Sequence, residues 1–144
     1  MARILLVEDS PAMRAYVRAA LEDAVEMGEP VEVVEAASGF DALRLLPRSS
    51  YDLVITDINM PDINGLELIR FVRSSAHHGE VPVLIISTQS APRDRDRGLA
   101  LGADGFLAKP FTPKALQEAV KRSLTARPSL RSGPAPASTG RGGA

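Results

Sequence analysis

The sequence contains no cysteine, which excludes disulfide bonds, thiolate metal sites and cysteine nucleophiles. It also lacks an excess of one charge, because 17 basic residues stand against 18 acidic residues for a net charge of −1. No global field therefore favours nucleic acid or an anionic membrane, and we expect neither as a partner. The apolar stretch at residues 4–7 is too short for a signal peptide or a membrane span. We expect a cytoplasmic protein.

Two common ligand-binding signatures are missing as well. No Gly-x-Gly-x-x-Gly or Walker-type pattern occurs, so Gly65 is expected to be a turn or helix-start residue rather than part of a phosphate cradle. His77 and His78 adjoin Gly79 but have no second pair of ligands to complete a zinc site. The chemistry must therefore be sought in other residues.

The length and the C-terminal composition set the domain organisation. At 144 residues the chain suits one domain. Residues 127–144 are almost wholly Pro, Ser, Gly, Ala and Arg, and such a segment cannot bury enough surface to offset its ordering entropy. We therefore expect a domain at residues 1–126 and a disordered tail at residues 127–144. The tail carries three arginines and no acid, which leaves residues 1–126 at a net charge of −4.

Short apolar runs alternate with helical patterns inside the expected domain. The runs at residues 4–7, 31–34, 53–55, 83–86 and 106–107 are mostly continuous, which predicts parallel strands covered on both faces. A first helix is predicted from the N-cap Ser10 and Pro11, through Ala24, to a stop at Gly28. Further helices are predicted around residues 42–46, 68–72, 92–101 and 112–124. Five strands alternating with five helices predict a doubly wound α/β sheet.

Polar residues follow four of the predicted strands, at the point where each strand ends. Glu8 and Asp9 follow the first strand, Asp57 and Asn59 the third, Ser87 the fourth and Lys109 the fifth, as the sequence shows. In an open α/β sheet, ligands bind outside the carboxyl ends of the strands. We therefore expect three carboxylates, a hydroxyl and an ammonium at one edge of the sheet.

This set of charges predicts a magnesium and phosphoryl site. Three carboxylates in a partly dry crevice repel one another, so they need a counter-charge, which a divalent cation and Lys109 would supply. Mg²⁺ typically combines one or two carboxylates with a phosphate oxygen, which makes a phosphoryl group the expected guest. Asp57 closes a buried strand and is the candidate nucleophile that would form an aspartyl phosphate. Glu8, Asp9 and Asp57 would hold Mg²⁺ with a backbone carbonyl such as that of Asn59.

The same residues resemble the response-regulator receiver domains of two-component signalling, in particular the stand-alone chemotaxis type. The resemblance covers residues 3 to 124 and rests on four segments in order, namely residues 4–10 (ILLVEDS), 57–65 (DINMPDING), 86–88 (IST) and 102–111 (GADGFLAKPF). It implies a flavodoxin-like five-stranded sheet of strand order 2-1-3-4-5.

The resemblance also implies roles for individual residues. Asp57 would accept a phosphoryl group from a histidine kinase, Ser87 would hydrogen-bond a phosphoryl oxygen and Lys109 would pair with it. Phe106 would be an aromatic switch whose ring moves with Ser87, although an aromatic residue on a strand is often simple packing. Asn59 and Gln89 match positions that influence the lifetime of the acyl phosphate. Thr88 departs from the usual Ala or Gly, and its bulk is expected to narrow access to the site.

Two other classes of function remain open from the sequence. A Mg²⁺-dependent phosphohydrolase with an aspartyl phosphate would usually carry an acid two positions after the nucleophile, where this chain has Asn59, a poor acid. A degenerate receiver would serve as a binding module only. We expect a switch and not an enzyme, acting as a monomer or weak dimer by docking on a downstream protein or by passing the phosphoryl group to a phosphotransfer protein. The alternating charges at residues 93–97 predict a solvated helix face or a partner-contact surface.

Overall fold

The computed structural model of the chain describes residues 1–22, 24–88 and 92–126. Its strands are β1 (Ala2–Val7), β2 (Val31–Ala36), β3 (Leu53–Asp57), β4 (Val83–Ser87) and β5 (Gly105–Ala108). Its helices are α1 (Pro11–Leu21), α2 (Gly39–Leu45), α3 (Gly65–Ser74), α4 (Pro92–Ala100) and α5 (Pro113–Thr125). The predicted alternation of strands and helices is confirmed. The predicted tail lies outside the described residues and stays a prediction.

The five strands form one parallel sheet in the order β2-β1-β3-β4-β5, which confirms the predicted doubly wound, flavodoxin-like fold. Successive side chains of a strand point to opposite faces, so each strand contributes to two cores. The core against α1 and α5 includes Ile4, Leu6, Ile55, Val17, Leu21, Leu116 and Val120. The core against α2 and α3 includes Leu5, Val7, Val54, Ile85, Ala42, Leu68 and Ile69. Burial on both faces explains why the strands read as continuous apolar runs.

Helix starts follow the capping residues of the sequence. Ser10, Ser38 and Thr112 each accept a backbone N–H from three residues later, and Asn64 forms a reciprocal capping box with Glu67. The side chains of these caps satisfy amide groups that have no partner inside the helix. Two caps, Ser10 and Asn64, therefore set the start of the helices that follow β1 and β3.

The first helix ends earlier than the sequence predicts. The predicted helix runs through Ala24 to Gly28, whereas α1 ends at Leu21 and a short 3₁₀ turn follows at Val25–Met27. Glu22 is extended and its carboxylate accepts the backbone N–H of Val33 on β2 at 2.9 Å. This contact between α1 and β2 takes the place of another helical turn, so the prediction for Ala24 was wrong.

Helix α4 is the least buried of the described helices, and Gly98 is its one buried residue. The absence of a side chain matters at Gly98, because a Cβ atom there would lie 2.4 Å from Cδ1 of Ile85 on β4. The five alternating charges at residues 93–97 are exposed or half-buried, as the prediction of a solvated helix face requires. Whether this face also contacts a partner stays a prediction.

Candidate phosphoryl and metal site

The carboxyl ends of four strands bring the predicted residues to one edge of the sheet. Glu8 follows β1 directly, Asp57 is the last residue of β3, Ser87 is the last residue of β4 and Lys109 follows β5. The parallel register places Asp57 beside Ile86, and Ser87 beside Ala108. The topology of the sheet therefore brings Glu8 and Lys109 together although they are 101 residues apart in the sequence.

The ammonium group of Lys109 joins two of the carboxylates. Its Nζ donates to Oε1 of Glu8 and to Oδ2 of Asp57, each at 2.8 Å. Burial lowers the pKa of Lys109, but the hydrogen bonds to Asp57 and Glu8 outweigh burial and raise that pKa above its usual value. Lys109 therefore remains a cation in the site. The Lys109–Pro110 peptide bond is cis, and the Lys109 N–H donates to the carbonyl of Ser87.

Glu8 is the most deeply buried acid of the site. Only 1% of its side-chain surface is exposed, and burial raises the pKa of its carboxyl group above the usual value although the bond from Lys109 acts in the opposite direction. Its Oε2 also accepts the backbone N–H of Ser10 at 3.0 Å. Every oxygen of this carboxylate has a donor, which fixes its orientation.

The turn after β3 holds Asp57 from the other side. Oδ1 of Asp57 accepts the backbone N–H of Asn59 at 3.2 Å, so both oxygens of this carboxylate also have donors. The turn closes where the N–H of Gly65 bonds to the carbonyl of Ile58. A Cβ atom at Gly65 would lie 2.1 Å from the carbonyl oxygen of Asp57. Gly65 is thus the predicted helix-start residue, and its lack of a side chain lets α3 begin against the site.

Sequence reasoning missed a contact that ties this turn to α2. The carboxylate of Asp62 accepts the backbone N–H groups of Gly39 and Phe40 at 3.1 and 2.8 Å. These bonds lower the pKa of Asp62 to about 2, with the bond from Phe40 as the largest cause. Asp62 lies inside the segment that carries the family resemblance, but its partner lies 23 residues earlier in the chain. Nothing in the local sequence pattern indicates that Asp62 contacts the start of α2.

The remaining predicted residues lie near this edge with different exposures. Ser87 is fully buried, Phe106 is half-buried among the core residues of the α2 and α3 face, and Asn59 and Thr88 are exposed. Their proposed roles as phosphoryl ligand, switch, metal ligand and obstruction stay predictions. Gln89 lies outside the described residues.

The acidic residues have the composition that a hard divalent cation requires. One carboxylate oxygen from each of Glu8, Asp9 and Asp57 lies within 4.8 Å of the others. With Lys109 the group carries a net charge of −2 when all three acids are ionised. Asp9 is exposed while the other two acids are buried, so an ion can enter the site from solvent. Oxygen ligands, unbalanced negative charge and an open side all fit Mg²⁺.

Comparison with known proteins identifies the family. The model of the response regulator receiver domain matches residues 4–121. The chain belongs to the response regulator receiver domain family. Receiver domains are phosphorylation-dependent switches of two-component systems rather than classical enzymes, and members of the family bind Mg²⁺ at an acidic site.

The relatives of this receiver domain include chemotaxis proteins. It is 32% identical to a chemotaxis protein CheY homolog from Campylobacter jejuni over 123 residues, which are 85% of this chain and 92% of that protein. The chemotaxis protein CheY4 of Vibrio cholerae is 36% identical, with a TM-score of 0.78 over 85% of this chain and 98% of that one. These similarities support the predicted chemotaxis type. The chain spans 13% and 53% of two longer curated relatives, to which it is 41% and 36% identical.

One similar structure carries a metal ion. The receiver domain of a sensor histidine kinase from Pseudomonas aeruginosa has a magnesium ion coordinated in its active-site cleft. It is 30% identical to this receiver domain, with a TM-score of 0.74 over 86% of this chain and 98% of that one. In the part of this chain that the structure describes, no helix is long and apolar enough to span a membrane.

Proposed function

We propose that Asp57 is the residue of this switch that accepts a phosphoryl group from a histidine kinase, with Mg²⁺ bound beside it. The observation that carries the proposal is the position of the Lys109 ammonium, 2.8 Å from both Glu8 and Asp57 at the carboxyl edge of the sheet. Lys109 and Asp57 together offer a nucleophilic oxygen and a cation on the same side of the site. This is the arrangement that phosphoryl transfer to a carboxylate requires.

The proposed transfer forms one bond and breaks another. A carboxylate oxygen of Asp57 bonds to phosphorus while the bond between phosphorus and the donor nitrogen of phosphohistidine breaks. The electron pair of the broken bond stays on that nitrogen, which takes up a proton from water. Lys109 pairs with an oxygen of the transferred group and offsets its charge. The hydroxyl of Ser87 bonds to another phosphoryl oxygen, and the ring of Phe106 moves with it.

Glu8, Asp9, Asp57 and the carbonyl of Asn59 are the proposed ligands of Mg²⁺. The ion, when bound, offsets the negative charge that collects on the phosphoryl oxygens. All three acids contribute charge to the site, and removing one carboxylate from so small a set leaves too few charged ligands for the ion. Asp9→Ala should therefore abolish the weak binding of Mg²⁺ that we expect without phosphate. Unchanged affinity in titration calorimetry would place the metal site elsewhere.

The proposed output is contact with another protein. The phosphorylated chain would dock on a downstream target or pass the phosphoryl group to a phosphotransfer protein, in the cytoplasm and as a monomer or weak dimer. The absence of cysteine fits a reducing compartment. The partner can be sought by comparing binding with and without an acyl-phosphate mimic such as beryllofluoride.

Labelling with acetyl phosphate tests the acceptor directly. With Mg²⁺, intact-mass spectrometry should show one added phosphoryl group that hydroxylamine and base remove, because an acyl phosphate is a mixed anhydride. Asp57→Asn should lose the label, since an amide is no longer an anionic nucleophile. Asp96→Asn, which changes an exposed acid on α4, is the control and should label normally. Undiminished labelling of Asp57→Asn, with the group mapped to another residue, would contradict the proposal.

The same preparation separates the switch from a phosphohydrolase. We expect no turnover of small phosphate esters, because Asn59 cannot supply the proton that a leaving alcohol needs. Steady release of phosphate by the wild type, lost in Asp57→Asn, would instead support an enzyme.

A further inference from the structure

We propose that Arg14 is a positioning residue that holds the Glu8–Asp9 peptide in the orientation needed to bind Mg²⁺. This inference deepens the proposed function and rests on the metal site formed by Glu8, Asp9 and Asp57. Arg14 lies on α1 and is absent from the segments that carry the family resemblance. Its guanidinium touches no carboxylate oxygen of that site, so its action would be indirect.

Arg14 connects the ends of two neighbouring strands. Its Nη1 donates to the carbonyl oxygen of Glu8 at 2.8 Å, just past the end of β1. Its Nε donates to Oε1 of Glu35 at 2.8 Å, near the end of β2. The N-cap Ser10 sets the start of α1, which places Arg14 one turn into the helix and over both strand ends. With 18% of its side chain exposed, Arg14 is held between these two partners.

The bond from Arg14 completes the set of contacts that fixes Glu8. The N–H of Glu8 donates to the carbonyl of Ala36, and its two carboxylate oxygens accept from Lys109 and Ser10. The carbonyl oxygen is the fourth polar group, and Arg14 is its partner. With this bond every hydrogen-bonding group of Glu8 has a partner inside the protein.

Asp9 depends on the same bond more strongly. Within residues 1–22, 24–88 and 92–126, the Asp9 carboxylate accepts no hydrogen bond from the protein. The peptide unit is planar, so the direction of the Glu8 carbonyl also fixes the N–H and Cα atom of Asp9. Arg14 therefore determines where the exposed acid of the metal site begins. Without it the Glu8 carbonyl loses the donor that sets its direction, so the Glu8–Asp9 peptide can reorient and shift the third carboxylate.

Glu35 keeps the Arg14 guanidinium in place. Oε2 of Glu35 accepts from Arg18 at 2.7 Å, and Arg18 in turn pairs with Glu22. The hydrogen bond from Arg18 and that from Arg14 together lower the pKa of the Glu35 carboxyl despite some burial, so Glu35 stays ionised at neutral pH. Arg18 belongs to the same ion-pair network but makes no bond to Glu8, which makes it a matched control for Arg14.

Magnesium affinity of the full chain, measured by titration calorimetry, tests this role. Arg14→Ala should weaken Mg²⁺ binding about tenfold to a hundredfold, the range typical of residues that orient metal ligands. Arg18→Ala removes one arginine from the same network and should bind Mg²⁺ like the wild type. Arg14→Lys keeps the charge but cannot donate to Glu8 and Glu35 in the planar geometry of a guanidinium. Its Mg²⁺ affinity should therefore be almost as weak as that of Arg14→Ala.

The outcomes separate this inference from the metal site itself. If the wild type binds Mg²⁺ and Arg14→Ala binds it equally well, or if Arg18→Ala is weakened as much as Arg14→Ala, Arg14 is not a positioning residue. Wild-type affinity in Arg14→Lys would show that the two simultaneous bonds of the guanidinium are not needed, and it would also overturn the inference.

A second measurement keeps the test independent of metal binding. If the wild type itself fails to bind Mg²⁺, the proposed metal site is wrong. The backbone amide resonances of Asp9 and Ser10 then decide the role of Arg14, because they should shift in Arg14→Ala and not in Arg18→Ala. Unchanged resonances in both variants would overturn the positioning role.

Discussion

Two partly buried ion-pair clusters lie at opposite edges of the sheet and differ in how their charges are balanced. At the carboxyl edge, Lys109 pairs with Glu8 and Asp57, and Asp9 lies beside them. At the amino edge, Arg73 at the end of α3 pairs with Asp104 just before β5. The arginine side chain is 16% exposed and the Lys109 side chain 12%, so burial alone does not distinguish the two clusters.

The cluster of Arg73 satisfies nearly all of its polar groups. The guanidinium donates to the carbonyls of Gly79, Val81 and Gly102 as well as to Asp104. The Oδ2 atom of Asp104 also accepts the N–H of the first residue of β4. Gly102 has a φ of +114°, and a Cβ atom there would lie 2.8 Å from Nε of Arg73. One cation and one anion are thus locked together with three backbone segments.

The two clusters therefore differ in charge balance and in access to solvent. In the cluster of Arg73 one arginine is paired with one aspartate, and the bonds of the arginine join α3, the loop before β4 and the turn before β5. The cluster of Lys109 has three acids for one cation and keeps an exposed acid at its mouth. The cluster of Arg73 should raise the free energy of unfolding. The excess negative charge of the Lys109 cluster should lower it, and binding of a cation should raise it again.

The largest effect is expected from Arg73→Ala. The change removes the ion pair of half-buried Asp104 and the donor to three carbonyls, so the free energy of unfolding should fall by about 3–5 kcal/mol. Urea denaturation followed by circular dichroism measures it. Arg70→Ala, an exposed arginine one turn earlier on α3, should change the same quantity by about 0.5 kcal/mol or less. If Arg73→Ala lowers the free energy of unfolding no more than Arg70→Ala does, the cluster of Arg73 does not stabilise the fold.

A smaller loss is expected from Lys109→Ala. Glu8 and Asp57 would lose their shared donor, but solvent can reach the site, so the free energy of unfolding should fall by about 1–3 kcal/mol. Saturating Mg²⁺ should restore part of this loss, because a cation would again offset the carboxylates. Lys121→Ala, on the exposed face of α5, is the control. Recovery with Mg²⁺ in the control as well would show a general salt effect.

Asp57→Asn should change stability in the opposite direction. The substitution removes one of the repelling carboxylates and keeps the shape of the side chain, so the free energy of unfolding should stay level or rise by about 1 kcal/mol. Denaturation without Mg²⁺ is the measurement, because bound metal would stabilise the wild type alone. A loss as large as that of Arg73→Ala would mean that Asp57 is a structural acid like Asp104.

The smallest expected effect is the loss of stability at low pH that follows protonation of His78, near the amino edge of the sheet. His78 is buried, with its Nε2 2.6 Å from the carbonyl of Leu46, and burial lowers the pKa of its imidazole below the usual value. The folded state then favours the neutral ring. The stability that His78 contributes is complete above the ordinary pKa of histidine and is lost as pH falls through the lowered folded value.

His78→Gln tests this pH dependence. The wild type should lose more stability than this variant between about pH 7.5 and about pH 5, because only the wild type has a buried imidazole to protonate. Parallel denaturation curves across that range give the difference. His77→Gln, which changes the exposed neighbour, should lose as much stability over this pH range as the wild type. If His78→Gln also loses as much as the wild type, groups other than His78 cause the pH dependence.

The carboxyl edge was predicted from the sequence more completely than the amino edge. Glu8, Asp57 and Lys109 each follow a recognisable strand, and parallel strands end at the same edge, so their meeting could be inferred. Arg73 and Asp104 follow no such rule, because their pairing depends on two loops and on a glycine of positive φ. The end of α1 was predicted wrongly for the same kind of reason, since Glu22 bonds to a strand that lies 11 residues away.

The sequence by itself determined the alternation of elements, the parallel sheet, the family and the residues of the acidic edge, because periodicity, capping residues and strand-end motifs are local signals. Only the tertiary structure decided which atoms of those residues meet. The bonds of Arg14 to Glu8, of Asp62 to the start of α2 and of Lys109 to two carboxylates depend on how helices lie over strand ends. Those distances are set by side-chain packing across the sheet, which no local pattern records.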